Sequence, residues 1–162
     1  MQYTTIDSPI GRLLLAGDGT TLRLLWFVNG RHVATPDPSW VEAPRAFREV
    51  TAQLTAYFGG RLRAFEVPVD PGGTPFQSRV WRALQDIPYG QTESYGALAR
   101  RLGDPKAVRA VGLANGANPI SIIIPCHRVV GSDGSLVGYG GGLERKRWLL
   151  DHETRVAGVI LF

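Results

Sequence analysis

The sequence predicts an α+β protein: a small sheet-plus-helix domain over residues 1–72 is followed by a mainly helical, winged-helix-like domain over residues 73–162. Three observations support this fold class. Short apolar runs separated by turn residues fill positions 3–28, which is typical of strands. Apolar residues then recur at helical spacing from residue 45 onward. Finally, two short helical segments around a glycine, within residues 94–115, predict a helix-turn-helix.

The composition is that of a globular protein with a sizeable core, since 44% of the 162 residues are hydrophobic and 20% are charged. No apolar run approaches the ~20 residues that a membrane-spanning helix needs. The first residues also lack the basic segment followed by an apolar one that marks a secretory signal. The single cysteine excludes an internal disulfide and is consistent with a reducing compartment. We therefore expect no membrane association and a cytoplasmic location.

The charge pattern is informative mainly through its distribution. The net charge is only +4, but positive residues are concentrated in the C-terminal half, within 97–128 and at 145–147. This distribution permits a polyanionic partner without proving one. Three histidines and one cysteine show no metal-ligand spacing, so we predict no metal site.

The first domain begins with a predicted three-stranded sheet. The strands are Tyr3–Ile6, Leu13–Ala16 and Thr21–Val28, with a hairpin turn at Gly17-Asp18-Gly19. Residues 29–44 have no regular period and predict a loop, in which His32 is expected to be solvated.

A helix is predicted over Arg45–Phe58, where the apolar residues fall on one stripe. Phe65–Val69 alternates like a strand, and Pro68 limits it to the edge of a sheet. The turn-forming residues Asp70-Pro71-Gly72-Gly73 mark the predicted domain boundary. Because no chemically useful side chains cluster before this boundary, we interpret the first domain as a structural support.

The second domain begins with strong helix-start signals. These are a capping box and a proline at the first helical position, formed by Thr74, Gln77 and Pro75. Ser94 is the predicted cap of a shorter helix, Tyr95–Arg101. Asp104-Pro105 then begins another helix, which ends near Asn115. The last two helices form the predicted helix-turn-helix.

The second helix of this motif has a face of small residues at i, i+3 and i+7. They are Ala107, Ala110 and Ala114, while Val108 and Val111 are assigned to the core side. Alanines let a backbone come close to another helix or to a nucleic-acid groove, and the pattern alone favours neither. Neighbouring Lys106 and Arg109 favour nucleic acid, because both can contact phosphates.

The stretch with the most reactive side chains runs from Asn118 to Val130. It contains four isoleucines followed by Pro125-Cys126-His127-Arg128. The isoleucines predict a short buried strand that ends at the proline. The thiol of Cys126 then lies beside two potential cations, an arrangement that makes a thiolate accessible near neutral pH. Since most free cysteines are simply small buried hydrophobes, the neighbours must decide between a structural and a nucleophilic role.

A glycine-rich segment follows, with six glycines within residues 131–142. No Gly-Lys-Ser/Thr follows it, so we reject a nucleotide-binding loop. The better interpretation is a loop whose backbone approaches a ligand closely, with Tyr139 as its one large side chain. Leu143–Glu153 predicts a helix with the basic cluster 145–147 on its outer side, and Val156–Phe162 predicts a closing strand.

At Pro125-Cys126-His127-Arg128-Val129 the sequence resembles the O6-alkylguanine-DNA alkyltransferases, also called methylated-DNA–protein-cysteine methyltransferases. The resemblance covers nearly the whole chain. Its further segments are Asp7-Ser8-Pro9-Ile10-Gly11, Tyr95-Gly96, Arg109-Ala110-Val111-Gly112, Asn118-Pro119, Gly138-Tyr139-Gly140-Gly141-Gly142, and the helix with Lys146 and Glu153. It implies single-turnover DNA repair without a cofactor, by irreversible transfer of the alkyl group of O6-alkylguanine or O4-alkylthymine to the protein's own cysteine.

The resemblance also implies roles for the residues near the thiol. Cys126 would be the nucleophile, His127 a general base acting through a bound water, and Glu153 the group that orients His127. Asn118 would hold the segment in place by hydrogen bonds. Because adjacent side chains on an extended chain point to opposite faces, a bridging water or a turn directly after Pro125 is needed.

The partner implied in the same way is double-stranded DNA, bound through the minor groove. Tyr95 would crowd the target phosphate and protonate the departing guanine, and Arg109 would replace the flipped nucleotide in the base stack. Small side chains suit a narrow groove, and minor-groove binding would therefore explain why Ala107, Ala110 and Ala114 are small. The other residues expected to contact substrate or DNA are Cys126 and Val129 through their backbone, Tyr139, the Gly140 N–H and Arg128.

Two alternatives stay open at this point. A hydrolase using Cys126, His127 and Glu153 would turn over many times and would not need the alanine face. A non-catalytic sensor would bind damaged DNA without changing it, although proteins of that kind lack the cysteine that is present here. The zinc ligands of some relatives are missing, so no zinc is predicted, and we expect a monomer, with cooperative assembly on DNA left open.

Overall fold

Four strands form the N-terminal sheet in the computed structural model, which describes residues 1–30 and 33–158. They are β1 Gln2–Ile6, β2 Leu13–Gly17, β3 Leu22–Phe27 and β4 Val41–Glu42, in the order β3-β2-β1-β4. The first three pair antiparallel, and β4 pairs parallel to β1. The three predicted strands are confirmed. β4 lies within the segment predicted as a loop, and His32 lies outside the described residues.

A single helix of the first domain packs against this sheet. A 3-10 turn at Pro44–Phe47 leads into α1, Arg48–Phe58, so the predicted helix is present with a tighter first turn. Its buried side chains are those of the predicted apolar stripe: Val50, Leu54 and Tyr57. The helix therefore places a tyrosine hydroxyl inside the protein, where it needs a hydrogen-bond partner.

The strand predicted over Phe65–Val69 does not form. Only Val69 makes a bridge, to Leu22 of β3. The Leu22 N–H donates to Pro68 O at 2.9 Å, and Asp70 N–H donates to Leu22 O at 2.9 Å. Proline has no N–H to donate, so the ladder does not extend beyond this single contact.

The C-terminal part is mainly helical, as predicted. Its helices and strands are α2 Pro75–Leu84, β5 Glu93–Ser94, α3 Tyr95–Arg101, α4 Val108–Gly116, β6 Val129–Val130 and α5 Leu143–Ala157. The predicted capping box is present, with Thr74 and Gln77 bonded reciprocally. Ser94 caps α3 by accepting from the Ala97 N–H at 3.0 Å. These local signals fix the helix starts because they satisfy backbone N–H groups that no earlier turn can reach.

Two helix ends differ from the prediction. α4 begins at Val108 instead of Asp104-Pro105, because residues 105–106 form a turn in which the Ala107 N–H donates to Asp104 O at 3.0 Å. α5 continues to Ala157, so Val156 is helical and the strand predicted from it does not begin there. The remaining residues of that predicted strand, 159–162, lie outside the described residues.

The isoleucine stretch is buried, as predicted, but it is a turn and not a strand. Only Ile120 pairs, through a parallel bridge to Leu25 of β3. The chain then turns through Ile122, whose φ of 72° a strand does not allow. Such a conformation costs a β-branched residue about 1–3 kcal/mol, so the surrounding contacts must hold it. The bridge to Leu25 joins the sheet and the helices around one shared core.

The sequence suggested that the basic cluster at 145–147 lies on the outer side of α5, but two of its three side chains point inward. Lys146 is fully buried and its Nζ donates to Val129 O and Val137 O. Arg145 reaches the first domain, where it donates to Ile10 O at 2.8 Å. Of the three, only Arg147 is exposed. The two inward-facing cations supply donors to loop carbonyls that would otherwise be buried without partners.

Candidate active site

Cys126 begins a 3-10 turn, Cys126–Arg128, directly after Pro125. A turn directly after Pro125 is one of the two solutions that the sequence left open, and in a 3-10 turn successive side chains do not point to opposite faces. The Cys126 carbonyl accepts from Asn115 Nδ2 at 3.3 Å. Asn118 Nδ2 donates to Ile124 O at 2.8 Å, and its Oδ1 accepts from the Ile120 N–H at 3.0 Å. The hydrogen bonds expected of Asn118 are therefore present. Asn115 is an additional support that was not predicted from the sequence.

The thiol itself is buried, which changes the expected chemistry. Burial raises the pKa of Cys126 to about 11, although hydrogen bonding to Asn118 and the charge of Lys146 oppose the increase. The expectation of a thiolate near neutral pH is therefore wrong for the free protein. One of the two cations thought to favour it, Arg128, is directed to a different partner. A thiol with this pKa needs a base that takes its proton during the reaction.

His127, the residue after Cys126, forms a buried pair with Glu153. His127 Nε2 and Glu153 Oε2 are 2.7 Å apart, and both side chains are inaccessible to solvent. Burial lowers the pKa of His127 against the opposing influence of Glu153, so the imidazole is neutral near pH 7. Its Nδ1 is buried without a hydrogen-bond partner among the described residues. The pair is arranged as a general base with one ring nitrogen held by the carboxylate and the other free to accept a proton.

Arg128 belongs to this buried network and not to a DNA-contacting surface. Its Nε donates to Glu153 Oε1 at 2.8 Å, a second guanidinium nitrogen donates to Glu153 Oε2 at 3.0 Å, and the third donates to Ile87 O at 2.8 Å. The residue is only 7% exposed. The prediction that it contacts substrate or DNA is thus wrong, because the turn after Pro125 directs the guanidinium inward. Burial alone would raise the pKa of Glu153, but His127 and Arg128 hold it below its usual range.

Tyr57 of α1 is a further hydrogen-bond partner of Glu153. Its hydroxyl donates to Glu153 Oε2 at 2.7 Å across 96 residues of sequence. Burial and the neighbouring carboxylate both raise the pKa of Tyr57 well above its usual value, so the hydroxyl keeps its proton. Sequence reasoning missed this residue, because a tyrosine on an apolar helical stripe resembles any core aromatic residue.

Tyr95 and the glycine-rich loop lie against each other. The Tyr95 hydroxyl is within hydrogen-bond distance of Val137 O at 3.0 Å and Gly138 O at 3.3 Å. Burial, and then the charge of Cys126, raise the pKa of Tyr95. The same loop is tied to β6 by Lys146, which donates to both Val129 O and Val137 O. Val129 is thus buried, with its carbonyl already bonded to a lysine.

Tyr139 and Gly140 occupy the next positions of this loop. The Tyr139 hydroxyl is hydrogen-bonded to Ser121 Oγ, and its ring packs edge-on against Phe27. Burial and Cys126 raise the pKa of Tyr139 well above its usual value. A Cβ at Gly140 would lie 2.7 Å from the Trp26 ring, so the backbone approaches the first domain more closely than any side chain would permit. Both predicted residues therefore lie near the thiol side of the core, and Ser121 is a partner that the sequence did not identify.

The alanine face of α4 is only partly at the surface. Arg109 and Ala110 are exposed, and Ala107 is partly buried against the core. Ala114 is 3% exposed, and its carbonyl accepts from Trp81 Nε1 at 2.8 Å. The prediction that Ala114 contacts DNA is wrong for its side chain, because Ala114 shares the inner side of α4 with Val111.

The outer side of α4 contains an apolar residue that the sequence did not single out. Leu113, one turn after Arg109, is 72% exposed, and Val108 is 40% exposed although it was assigned to the core. The side chain of Arg109 makes no hydrogen bond or ion pair with any residue in 1–30 or 33–158. The outer side of α4 is thus an exposed surface with one free cation and little apolar bulk except Leu113 and Val108.

Neither a membrane helix nor a metal cluster is found in the part of the chain that the structure describes. No helix there is long and apolar enough to cross a bilayer. Nor do three or more histidine, cysteine, aspartate or glutamate side chains come together there as metal ligands would.

A buried cysteine followed by a hydrogen-bonded His–Glu pair, together with a helix-turn-helix and an exposed arginine, is the combination expected of a nucleic-acid-binding protein that reacts through a cysteine. Two family models match the chain: the ribonuclease-like domain of 6-O-methylguanine DNA methyltransferase over residues 1–71, and the DNA-binding domain over residues 75–155. The chain belongs to the 6-O-methylguanine DNA methyltransferase family.

Individual relatives agree with this assignment. The methylated-DNA–protein-cysteine methyltransferase of Methanosarcina acetivorans is 52% identical over 153 residues, covering 94% of this chain and 98% of the relative. A crystal structure of Mycobacterium tuberculosis OGT in complex with DNA is 53% identical with a TM-score of 0.90, covering 96% of this chain and 94% of that one. An O6-methylguanine DNA methyltransferase from Methanococcus jannaschii is 27% identical with a TM-score of 0.64, covering 93% of both chains.

Proposed function

We propose that this protein repairs DNA by transferring the alkyl group of O6-alkylguanine to the sulfur of its own Cys126. The observation that carries the proposal is that the chain's single cysteine begins the turn Cys126–Arg128 and that the next residue, His127, forms a fully buried pair with Glu153. The family relationship supports the same activity, since relatives of similar length carry the name methylated-DNA–protein-cysteine methyltransferase. The cytoplasm is the expected location. We also expect a domain boundary near residue 72.

The reaction begins with removal of the thiol proton. Neutral His127 accepts this proton at Nδ1 through a water, while Glu153 stabilises the resulting imidazolium from the other ring nitrogen. The sulfur then forms a bond to the alkyl carbon, and the bond from that carbon to O6 breaks. The Tyr95 hydroxyl donates a proton to the departing guanine, and the proton held by His127 restores the tyrosine. The products are guanine and a thioether on Cys126.

Burial of the thiol has two consequences for this reaction. A pKa of about 11 keeps the sulfur protonated in the free protein, which protects it from unwanted oxidation. The buried sulfur also cannot reach O6 while the base is stacked, so the damaged nucleotide must leave the helix. The thioether that forms is a poor leaving group for water, so each molecule acts once and needs no cofactor.

The DNA-binding surface is the outer side of α4. Arg109 is free to enter the base stack in place of the flipped nucleotide, and Ala110 lets the helix approach the minor groove. Leu113 and Lys106 extend this surface, with an apolar contact and a phosphate contact respectively. Tyr139, Gly140 and the backbone of Cys126 and Val129 then form the walls around the flipped base. A monomer on double-stranded DNA satisfies these contacts.

The test is to incubate the protein with an oligonucleotide duplex carrying O6-methylguanine and to weigh the intact protein. We expect a gain of one methyl group, which peptide mapping places on Cys126. A protein of unchanged mass with unchanged DNA would refute repair and favour a sensor of damage. Loss of the methyl group from many equivalents of DNA without modification of the protein would instead indicate a hydrolase.

A further inference from the structure

We propose that Tyr57 is a positioning residue for alkyl transfer: its hydroxyl holds the Glu153 oxygen that contacts His127 and shares the negative charge of that oxygen. The inference rests on the function proposed above, because it concerns the same His127–Glu153 pair. It assigns the first domain a part in the reaction, whereas the sequence suggested only a structural support.

The geometry around Glu153 Oε2 leads to this proposal. His127 Nε2 and the Tyr57 hydroxyl both lie 2.7 Å from that one atom, and an Arg128 nitrogen lies 3.0 Å from it. Oε1 is held separately, by Arg128 Nε at 2.8 Å. The carboxylate thus cannot rotate without breaking several charge-assisted hydrogen bonds at once.

Tyr57 is itself fixed from several directions. Its carbonyl oxygen lies 2.8 Å from His152 Nε2, and its ring packs against His152 with centroids 5.4 Å apart. Phe65 and Tyr89 pack against other parts of the ring, with centroids 5.4 and 6.2 Å away. A hydroxyl held this firmly can fix the position of the atom to which it donates.

The titratable and charged groups around Tyr57 and Glu153 come from every neighbouring element. Arg63 and Arg128 lie over the ring of Tyr89, each with its guanidinium carbon 5.6 Å from the centroid. Among the described residues these groups include Arg63, Tyr89, His127, Arg128, Tyr139, Lys146 and His152. Among them, Arg128 and His127 contact the carboxylate directly, and Tyr57 is the neutral donor that shares an oxygen with His127.

A simple structural role and a positioning role predict different results. If Tyr57 only fills space, Tyr57→Phe should affect stability and leave the reaction unchanged, because the ring remains. If Tyr57 shares the charge of Oε2, its removal leaves more negative charge facing His127 and favours the imidazolium. His127 would then lose its proton at a higher pH, and the acidic limb of the pH–rate profile would move upward.

The experiment measures the rate of Cys126 alkylation by free O6-benzylguanine at saturating concentration, at a series of pH values on both sides of the usual imidazole pKa of about 6.5. For Tyr57→Phe we expect the acidic limb to move up by about half a pH unit to one unit. We also expect the half-saturating concentration to stay unchanged. Val50→Ala is the matched control, since Val50 is buried on the same helix without touching Glu153.

An unchanged acidic limb for Tyr57→Phe, or an equal shift for Val50→Ala, would overturn the positioning role. A fluorinated tyrosine at position 57 keeps the ring and the hydroxyl and donates more strongly, so it should shift the limb in the opposite direction even if Tyr57→Phe folds poorly. The wild-type protein separates the two proposals. Failure of wild-type alkylation would refute both, whereas normal wild-type alkylation with an unaffected Tyr57→Phe would refute only the role of Tyr57.

Discussion

The buried network around Glu153 and the outer side of α4 differ in how completely their polar groups are paired. Glu153 accepts from Tyr57, His127 and Arg128 inside the protein. Arg109, by contrast, is exposed and has no side-chain partner in the described part of the chain. Groups that are already paired need no rearrangement during the reaction. A cation without a partner is available to contact an incoming phosphate or base. Chemistry and DNA binding should therefore be separable by mutation.

The largest expected effect is that of Cys126→Ala. Transfer should be abolished, because no other thiol exists in the sequence, while affinity for damaged duplex should be kept, because the outer side of α4 is untouched. Intact-protein mass and a gel mobility assay measure the two properties separately. Loss of both would mean that the thiol is structural and that the two regions are not independent.

Arg128→Met tests whether the network is held by its buried cation. The change leaves the Glu153 carboxylate buried without its two guanidinium bonds, and breaking a buried pair in this way costs about 3–5 kcal/mol. Urea denaturation should show this loss in the free energy of unfolding. Arg12→Ala is the control, since Arg12 also pairs with a carboxylate but both partners are exposed, and its effect should be small. Equal effects of the two substitutions would contradict the account.

Arg109→Ala tests the DNA-binding role of the outer side of α4. Repair of O6-methylguanine in duplex DNA should slow by about tenfold or more, because no side chain then fills the gap that the flipped nucleotide leaves in the base stack. Transfer from free O6-benzylguanine should be nearly unchanged, since no base stack is involved. Single-turnover rates on the two substrates provide the measurement, with the exposed Arg48→Ala of α1 as control. An equal loss on both substrates would refute the proposed role of Arg109.

A smaller effect is expected in the pH dependence of stability. Burial lowers the pKa of His127 from 6.5, so the unfolded chain binds an extra proton below that pH and the free energy of unfolding falls. Glu153, held below its usual pKa of 4.5 despite burial, contributes stability above pH 4.5 that is lost at lower pH. Urea denaturation at several pH values should show both decreases, and Glu153→Gln should reduce the lower one, to which Asp18, whose pKa is lowered to about 2, also contributes. A flat profile would contradict the buried pair.

The sequence predicts well what is decided locally. The Thr74 capping box and the Ser94 cap were correct because each depends on residues three positions apart. Because adjacent side chains on an extended chain point to opposite faces, the order Cys126-His127 required a bridging water or a turn, and a turn after Pro125 is present. The family motif also led to the expectation that Glu153 orients His127, and these two side chains are hydrogen-bonded.

What the sequence did not predict depends on distant contacts. Arg128 was assigned to DNA because its partner Glu153 lies 25 residues away, and Tyr57 was overlooked because its partner lies 96 residues away. The alanine spacing did not show which side of α4 faces α2, and so Ala114 was placed outside although Trp81 binds its carbonyl. The strain at Ile122 has no signature in a run of isoleucines.

The most direct test of the central claim is a titration of a fixed amount of the protein with increasing O6-methylguanine duplex. We expect the amount of repaired guanine to rise and then stop at one equivalent per protein, with every methyl group found on Cys126. Continued repair beyond one equivalent, or a plateau with the methyl group on another residue, would contradict transfer to the buried thiol.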